Sequence, residues 1–485
     1  MEQLSKSQWP FLGGSYQARS RTFDGQRLVN MYFELNDLGA GKGGEPGVLY
    51  SCAGLRRVQN LGVGPIRATY TISTAQRSII VSGNEVYALT AAESTPVLIS
   101  GNLTTSVGFV SITDNGEDVL LTDGANGYLL HLATNTLTTI VDAHFYNGAV
   151  TCTYQNGYFI ADEGPLVSRF FISEPDSTIW PSLNEFSVDS SPDTLVAVIS
   201  NNQQLYLLGS RSIEVWAPDS TAASVSGAFT PIPGRAMNVG CTAAGTVARI
   251  ASTFMWLGAN DQGDGVVFSM ENESPTRVST HAIEHRLQEL GDLSSSTAFA
   301  WQEDGHYFYA LNLPGASTTF IYDLSSKIWS ERQSLIGGVM GRWIGQTHCF
   351  LNGEHLVGDY RNGQLYVLDQ SFYLDDVYPI RKLRDTPHST TGLAWTFYKT
   401  LQVDIQPGVG TAILNPRVVL QISRDGGFTW GNPIYASMGK IGQYRARARW
   451  QRLGRARDAV FRVFTDEPVK VAFLSAYLDT EAGTA

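Results

Sequence analysis

Residues 348–369 read HCFLNGEHLVGDYRNGQLYVLD. The stretch is an apolar run, an Asn-Gly turn, a second run, another Asn-Gly turn and a third run carrying Tyr366. Asn-Gly accepts the positive φ angles of a tight hairpin, so the stretch predicts antiparallel strands joined by short turns. Six more stretches follow the same plan, at residues 78–89, 118–132, 153–162, 202–216, 252–270 and 306–332. Successive units lie about 30 to 50 residues apart, which is the period of propeller blades. Such blades are four-stranded sheets packed around an axis that leave only short edges. The expectation is an all-β chain with a β-propeller of six or seven blades, and a multi-sheet β-sandwich is the competing arrangement.

Outward from these units the chain divides into three expected parts. Residues 1–60 are an N-terminal segment that packs against the C-terminal domain or closes the propeller; residues 61–375 are the propeller; residues 376–485 are an antiparallel β-domain. Residues 371–395, with Asp375-Asp376, Pro379, Arg381-Lys382 and Pro387, read as a connector. The last residues, 480–485, are expected to fray. One short helix is expected near 280–290, with Ser279 and Thr280 as caps. It contains His281-x-x-Glu284-His285, an inverted zinc-protease pattern, but no third ligand declares itself nearby. A solvated helix face is the plainer reading, and no metal is expected. The glycine-rich run at 39–44 has Lys42 without a following Ser or Thr, so a surface loop fits better than a phosphate cradle.

With 48 Gly, 21 Tyr, 22 Phe and 10 Trp but only 16% charged residues in 485, the composition is that of an aromatic, turn-rich β-protein. No 18-residue apolar run exists, so no membrane-spanning helix is expected. The N-terminus lacks the apolar core of a signal peptide, which points to cytoplasmic synthesis. Cys52, Cys152, Cys241 and Cys349 lie too far apart for a zinc site or a dense disulfide framework, and reduced, mostly buried thiols are expected. The net charge of −11 is unevenly spread. Residues 1–380 hold 19 basic and 37 acidic side chains, whereas residues 381–462 hold 14 and 4. Residues 78–168 contain no Lys or Arg at all. Opposite fields at two ends of one chain suit stacking on a partner or handling a polyanion.

The basic excess concentrates in residues 418–463. Ser423-Arg424-Asp425-Gly426-Gly427-Phe428-Thr429-Trp430 has the Asp-box pattern, a turn in which the aspartate accepts backbone N–H groups and glycine takes positive φ. The tryptophan is expected to pack under the loop. Beyond it, Tyr444, Ala446, Ala448 and Trp450 would fall on one face of a strand and Arg445, Arg447 and Arg449 on the other. Unpaired guanidinium groups cost several kcal/mol to bury, so the row must meet water, carboxylates or phosphate.

The run Trp450-Gln451-Arg452-Leu453-Gly454-Arg455-Ala456-Arg457, followed by Phe461-Arg462-Val463, resembles the W-x-R-[LV]-G-R-x-R signature at the end of the tail accessory proteins of short-tailed bacteriophages, also called packaged-DNA stabilisation proteins. Arg27-Leu28-Val29-Asn30-Met31-Tyr32 is similar to that family's N-terminal segment, and Ser279-Thr280-His281-Ala282-Ile283-Glu284 to its mid-chain helix. The resemblance implies a structural virion protein forming a ring, a hexamer by expectation. That ring would dock under the portal and adaptor proteins, prolong the channel for double-stranded DNA and help retain the packaged genome. Tail fibres or spikes and a needle or plug are the implied neighbours. Assembly or phosphate contacts are then expected from Arg445, Arg447, Arg449, Arg452, Arg455 and Arg457, with Ser423, Asp425, Gly427, Thr429 and Trp430 holding the turn that presents them.

An Asp-box beside a propeller also suggests a glycan-binding or sialidase-like module for receptor recognition. Sialidases repeat the box in their blades, whereas here one good copy lies outside them, and Asp323-Leu324-Ser325-Ser326-Lys327-Ile328-Trp329 is a distant relative. Between residues 78 and 234 the only arginines are Arg169 and Arg211, few sources for a carboxylate clamp. No nucleophile elbow appears and the eight His are scattered, so neither enzyme activity nor a cofactor is expected.

Overall fold

Seven antiparallel blades, each built on a four-stranded meander, follow one another around a ring in the computed structural model, which describes residues 7–39, 45–91, 95–189, 191–219, 228–260, 263–392, 394–411 and 414–483. Residues 40–44 of the glycine-rich run lie outside the described residues. Blades one to six span residues 66–102, 111–139, 152–187, 195–231, 240–277 and 297–336. Blade seven takes three strands from Gly345–Leu351, Glu354–Asp359 and Gln364–Asp369, and its outer strand from the N-terminal side, Gly54–Asn60. Its inner strand lies beside Ile66–Ile72 of blade one, which closes the ring.

The sequence dictates this ring through residues that alternate between two neighbours. Ile79 and Val81 of blade one pack toward blade two, while Ile80 between them packs toward blade seven. Leu120 faces blade three, while Val119 and Leu121 face blade one. Every such strand is buried on both faces, so its sequence reads as a continuous apolar run. Each fully buried Leu or Ile contributes about 1.5–3 kcal/mol. The buried thiols belong to these wedges, and burial pushes Cys152 and Cys241 up to about 12, so they stay protonated.

The C-terminal part is a two-layer sandwich built jointly with the N-terminal segment. One layer orders Met31–Leu35, Gly47–Ser51, Ala472–Ala482, Thr396–Ile405 and Ala448–Ala456, with Ser7–Trp9 also pairing with Ala472–Ala482. The second orders Gly25–Val29, Lys382–Asp385, Asp458–Thr465, Arg417–Ser423 and Ile434–Ser437. Phe11, Leu28, Met31, Leu49, Leu401, Leu420, Trp450, Phe461 and Phe473 fill the space between them. Two expectations change here. Residues 480–482 do not fray, because they pair with 396–398. The connector read over residues 371–395 contains an interior strand, Lys382–Asp385, whose four residues are all buried. Their charges are satisfied internally: Arg384 donates to the carbonyls of Phe11 (2.7 Å) and Gly14 (2.8 Å) and to Gln26 Oε1 (2.6 Å), and Asp385 accepts both arms of Arg462.

Propeller and sandwich share one sheet. The outer strand of blade six, Ile328–Ile336, pairs in parallel with Gly25–Val29 at Val29 and Glu331, making a twelve-stranded sheet that runs from blade to sandwich. The buried Glu331 carboxylate sits at this seam. It accepts from Arg27 Nη2 (2.8 Å) and Nε (3.2 Å) and from Ser15 Oγ (3.2 Å), and lies 3.4 Å from Arg286 on the helix. Burial alone would raise this carboxyl, but the charges of Arg27 and Arg286 overcome it and hold it at about 2. Asn30 adds a side-chain bridge, donating to the carbonyls of Gln333 and Arg381 while accepting from the Gln333 N–H.

Glu331→Gln leaves two guanidinium groups facing a neutral buried amide and should lower stability by about 3 kcal/mol or more, read from urea denaturation. Because the folded carboxyl lies below its ordinary 4.5, its stabilisation is present above that value and lost as the pH falls toward 2. The wild type should therefore weaken over that window more steeply than the Gln variant.

Candidate functional site

Strand order places the arginine-rich segment at the pole of the sandwich farthest from the propeller. In one layer Met31–Leu35 lies nearest blade six and Ala448–Ala456 is the outermost strand; in the other, Ile434–Ser437 is outermost. The described strand starts at Ala448, so Arg445 and Arg447 stand on the preceding turn-rich loop rather than on a strand face. Tyr444, expected on the apolar face, is exposed instead. From Ala448 the alternation holds, with Ala448 and Trp450 buried and Arg449 outward. Then it breaks. A bulge at Arg452, with φ +58, puts one extra residue opposite 398–400, and Gly454 follows at φ +88. The bulge resets the phase, so Arg449, Arg452 and Arg455 all face out while Leu453 and Ala456 face in.

Arg445, Arg447, Arg449, Arg452, Arg455 and Arg457 are all exposed. Among the described residues none of the six forms an ion pair. Arg455 and Arg457 lie over the Trp395 ring at 4.7 and 5.1 Å, which orients their guanidinium planes without neutralising them. Arg462 is different, because it is fixed to Asp385 and lies 3.7 Å from the Trp430 ring centroid. Large apolar side chains stand among the free cations: Tyr435 is 55%, Ile441 58% and Tyr444 68% exposed. Arginine with exposed tyrosine is the composition enriched at protein interfaces.

The Asp-box turn is built from side-chain caps. Asp425 accepts from the N–H of Phe428 (3.1 Å) and Thr429 (2.9 Å) and from the Ser423 and Thr429 hydroxyls, while Gly427 N–H donates to Ser423 Oγ (2.8 Å). The Ser423 and Thr429 hydrogen bonds hold the Asp425 carboxyl well below the usual range. Gly426 and Gly427 both take positive φ. Trp430 packs on Arg462 rather than beneath the arginine row, so the turn does not present that row directly. Their link is Arg424, whose Nη2 donates to Leu453 O at the bulge (2.8 Å).

A second charged surface escapes sequence reading because it depends on hairpin parity. In a four-stranded meander the first-to-second and third-to-fourth turns emerge on the same face. That face collects one acid from each of blades two to seven: Glu117, Asp176, Asp219, Glu273, Asp304 and Glu354. Arg235 pairs with Glu273, and Arg56 with Glu354 and Asp369. Blades two and three add Asp114, Asp118 and Glu174 near these turns, and their strands up to residue 168 hold no Lys or Arg. The usable signal was an acid beside a turn glycine or asparagine at Glu117, Glu273, Asp304 and Glu354, whereas Asp176 and Asp219 follow prolines and carry no such mark.

Other candidates are committed elsewhere. The helix forms at His281–Leu290, capped by Thr280, and Glu284 binds Arg277 and Ser279 Oγ, each at 2.6 Å. Its carboxylate is therefore engaged away from His285. Asp323 caps its own turn and holds His306 Nδ1 at 2.7 Å. Arg67 is spent on the carbonyls of Gly83, Thr105, Val107 and Gly108. Among the described residues no helix is long and apolar enough to cross a membrane.

Two family models match the chain. The one described as bacteriophage P22 Gp10, beta-propeller, covers residues 7–373, and the one described as bacteriophage P22 Gp10, beta-sandwich, covers residues 382–481. Among curated proteins none matches.

Stability measurements separate the free cations from the framework that carries them. Arg447→Ser/Arg449→Ser should leave the unfolding free energy of the isolated chain, read from urea denaturation, within about 0.5 kcal/mol of wild type. Gly454→Val forces a branched residue into positive φ and should cost about 1–3 kcal/mol. An arginine variant as damaging as the glycine variant would show that the row braces the fold.

Proposed function

The chain belongs to the bacteriophage P22 Gp10 family and is a structural protein of a phage tail, a component of the virion; from that premise we propose that it is one subunit of a hexameric ring that docks beneath the portal and adaptor proteins and prolongs their DNA channel. In that place it helps retain the packaged double-stranded genome and offers attachment to tail fibres or spikes and to a needle or plug. It is made in the host cytoplasm and acts by shape and field, without turnover.

The observation that carries this reading is the separation of charge. Six guanidinium groups without an ion pair among the described residues occupy one pole, and a carboxylate-bearing face lies on the propeller fused to it. Arg445, Arg447, Arg449, Arg452, Arg455 and Arg457 meet the carboxylates of a neighbouring protein, where bidentate pairs fix orientation as well as contact. Ser423, Asp425, Gly427, Thr429 and Trp430 brace the adjoining hairpin, and Arg424 ties that hairpin to the bulge. A carboxylate surface beside the channel would repel phosphate and let DNA slide, whereas a basic wall would hold it.

Phage carrying Arg447→Glu/Arg449→Glu should yield particles that lack complete tails or leak DNA, scored by electron microscopy and nuclease-accessible DNA. Particles with intact tails and full heads would contradict the role given to the row.

A further inference from the structure

The two charged surfaces lie on different parts of one chain, whose propeller and sandwich share a sheet, and each is incomplete alone. The outermost strands of both sandwich layers bring together the free arginines and the exposed Tyr435, Ile441 and Tyr444. The sandwich joins the propeller at blade six, whereas blades two and three are three and four places farther round the seven-membered ring. There the turn face exposes Glu117 and Asp176. Asp176 N–H donates to Gly157 O at 2.7 Å, which ties the third-to-fourth connection of blade three to its first-to-second turn and confirms that both project together. Among the described residues Glu117 and Asp176 have no cationic partner.

We infer that the arginine pole of one copy seats on the turn face of blades two and three of the next copy, with Arg447 and Arg449 directed at Glu117, Asp176 and the acids beside them. This rests on the ring proposed above and names the surfaces that make it. The second copy is favoured over other occupants because both halves of the complement are present on this chain. Because the surfaces differ, the contact is head-to-tail, the kind that closes a ring when its rotation divides the circle and makes a filament when it does not. A rotation of half a turn would close it as a reciprocal two-fold pair, and smaller rotations as larger rings. Exposed tyrosines and Ile441 supply the apolar area, while the charges set direction and register. The free guanidinium groups are solvent-exposed, so the association is salt-sensitive, with screening over about 8 Å at physiological ionic strength.

The test uses the full chain and three samples: Arg447→Glu/Arg449→Glu, Glu117→Lys/Asp176→Lys, and an equal mixture of the two. Native mass and sedimentation are followed against concentration and salt. The wild type is expected to self-associate, more weakly at high salt. Each variant alone opposes like charges and should associate about a hundredfold more weakly. The mixture should recover association as alternating copies, because each reversed surface then finds its opposite. Variants that assemble like wild type, a mixture that stays dissociated, or a wild type that remains monomeric at every concentration would each overturn this contact. So would loss confined to the arginine variant, which would direct the pole to another protein or to DNA. None of these outcomes touches the tail assignment, which is scored on particles.

Discussion

Everything in the molecule's geometry depends on a buried carboxylate between two guanidinium groups. Glu331 stands where the last strand of blade six meets the N-terminal segment, and Arg27 and Arg286 reach it from that segment and from the helix. Desolvating three charges is costly, and a pair of this kind often adds little net stability over an apolar substitute. What it does provide is uniqueness. A slip of one residue between Gly25–Val29 and Ile328–Ile336 would leave an uncompensated charge in the interior. The register of one short parallel contact therefore fixes how the sandwich stands on the propeller.

That fixed stance turns local charge into a property of the whole body. A flexible linker would average the relative directions of the arginine pole and the acidic turn face. Here the N-terminal segment belongs to both parts: residues 25–35 and 47–51 are sandwich strands, Val29 also pairs with Glu331 of blade six, and 54–60 complete blade seven. Neither part can unfold or swing without breaking strands of the other. A structural protein of a phage tail is well served by such interleaving.

The propeller was legible because its turns are chemically explicit. Asn156-Gly157, Asp304-Gly305 and Asn352-Gly353 take positive φ at both positions, as their residue types demand. The seven units found in the sequence fall in seven different blades. Less legible was anything held by long-range pairing. Lys382–Asp385 looked like a polar connector, since neither the carbonyls that satisfy Arg384 nor the Arg462 that satisfies Asp385 can be read from neighbours in the chain. The exposed arginines were legible as cations needing a partner, but not their placement. The bulge at Arg452 shifts the alternation by one residue, and the turn-rich loop takes Arg445 and Arg447 off the strand. The acidic turn face was hidden because it depends on which turns share a side, a fact of meander parity rather than local spacing.

The bulged, arginine-bearing strand also resolves a conflict inherent in its position. As the outermost strand of its layer, Ala448–Ala456 would present unpaired backbone groups on which another chain could polymerise. A flat apolar edge invites indiscriminate pairing. The bulge twists this edge away from a regular ladder, and long cationic side chains cover it, so backbone addition is opposed by shape and by charge together. The same side chains remain free to pair with carboxylates presented on a surface of the right curvature. An edge built this way rejects strands while leaving its cations open to a charged face, and discrimination between those two kinds of neighbour is what the proposed ring would need of a subunit still alone in solution.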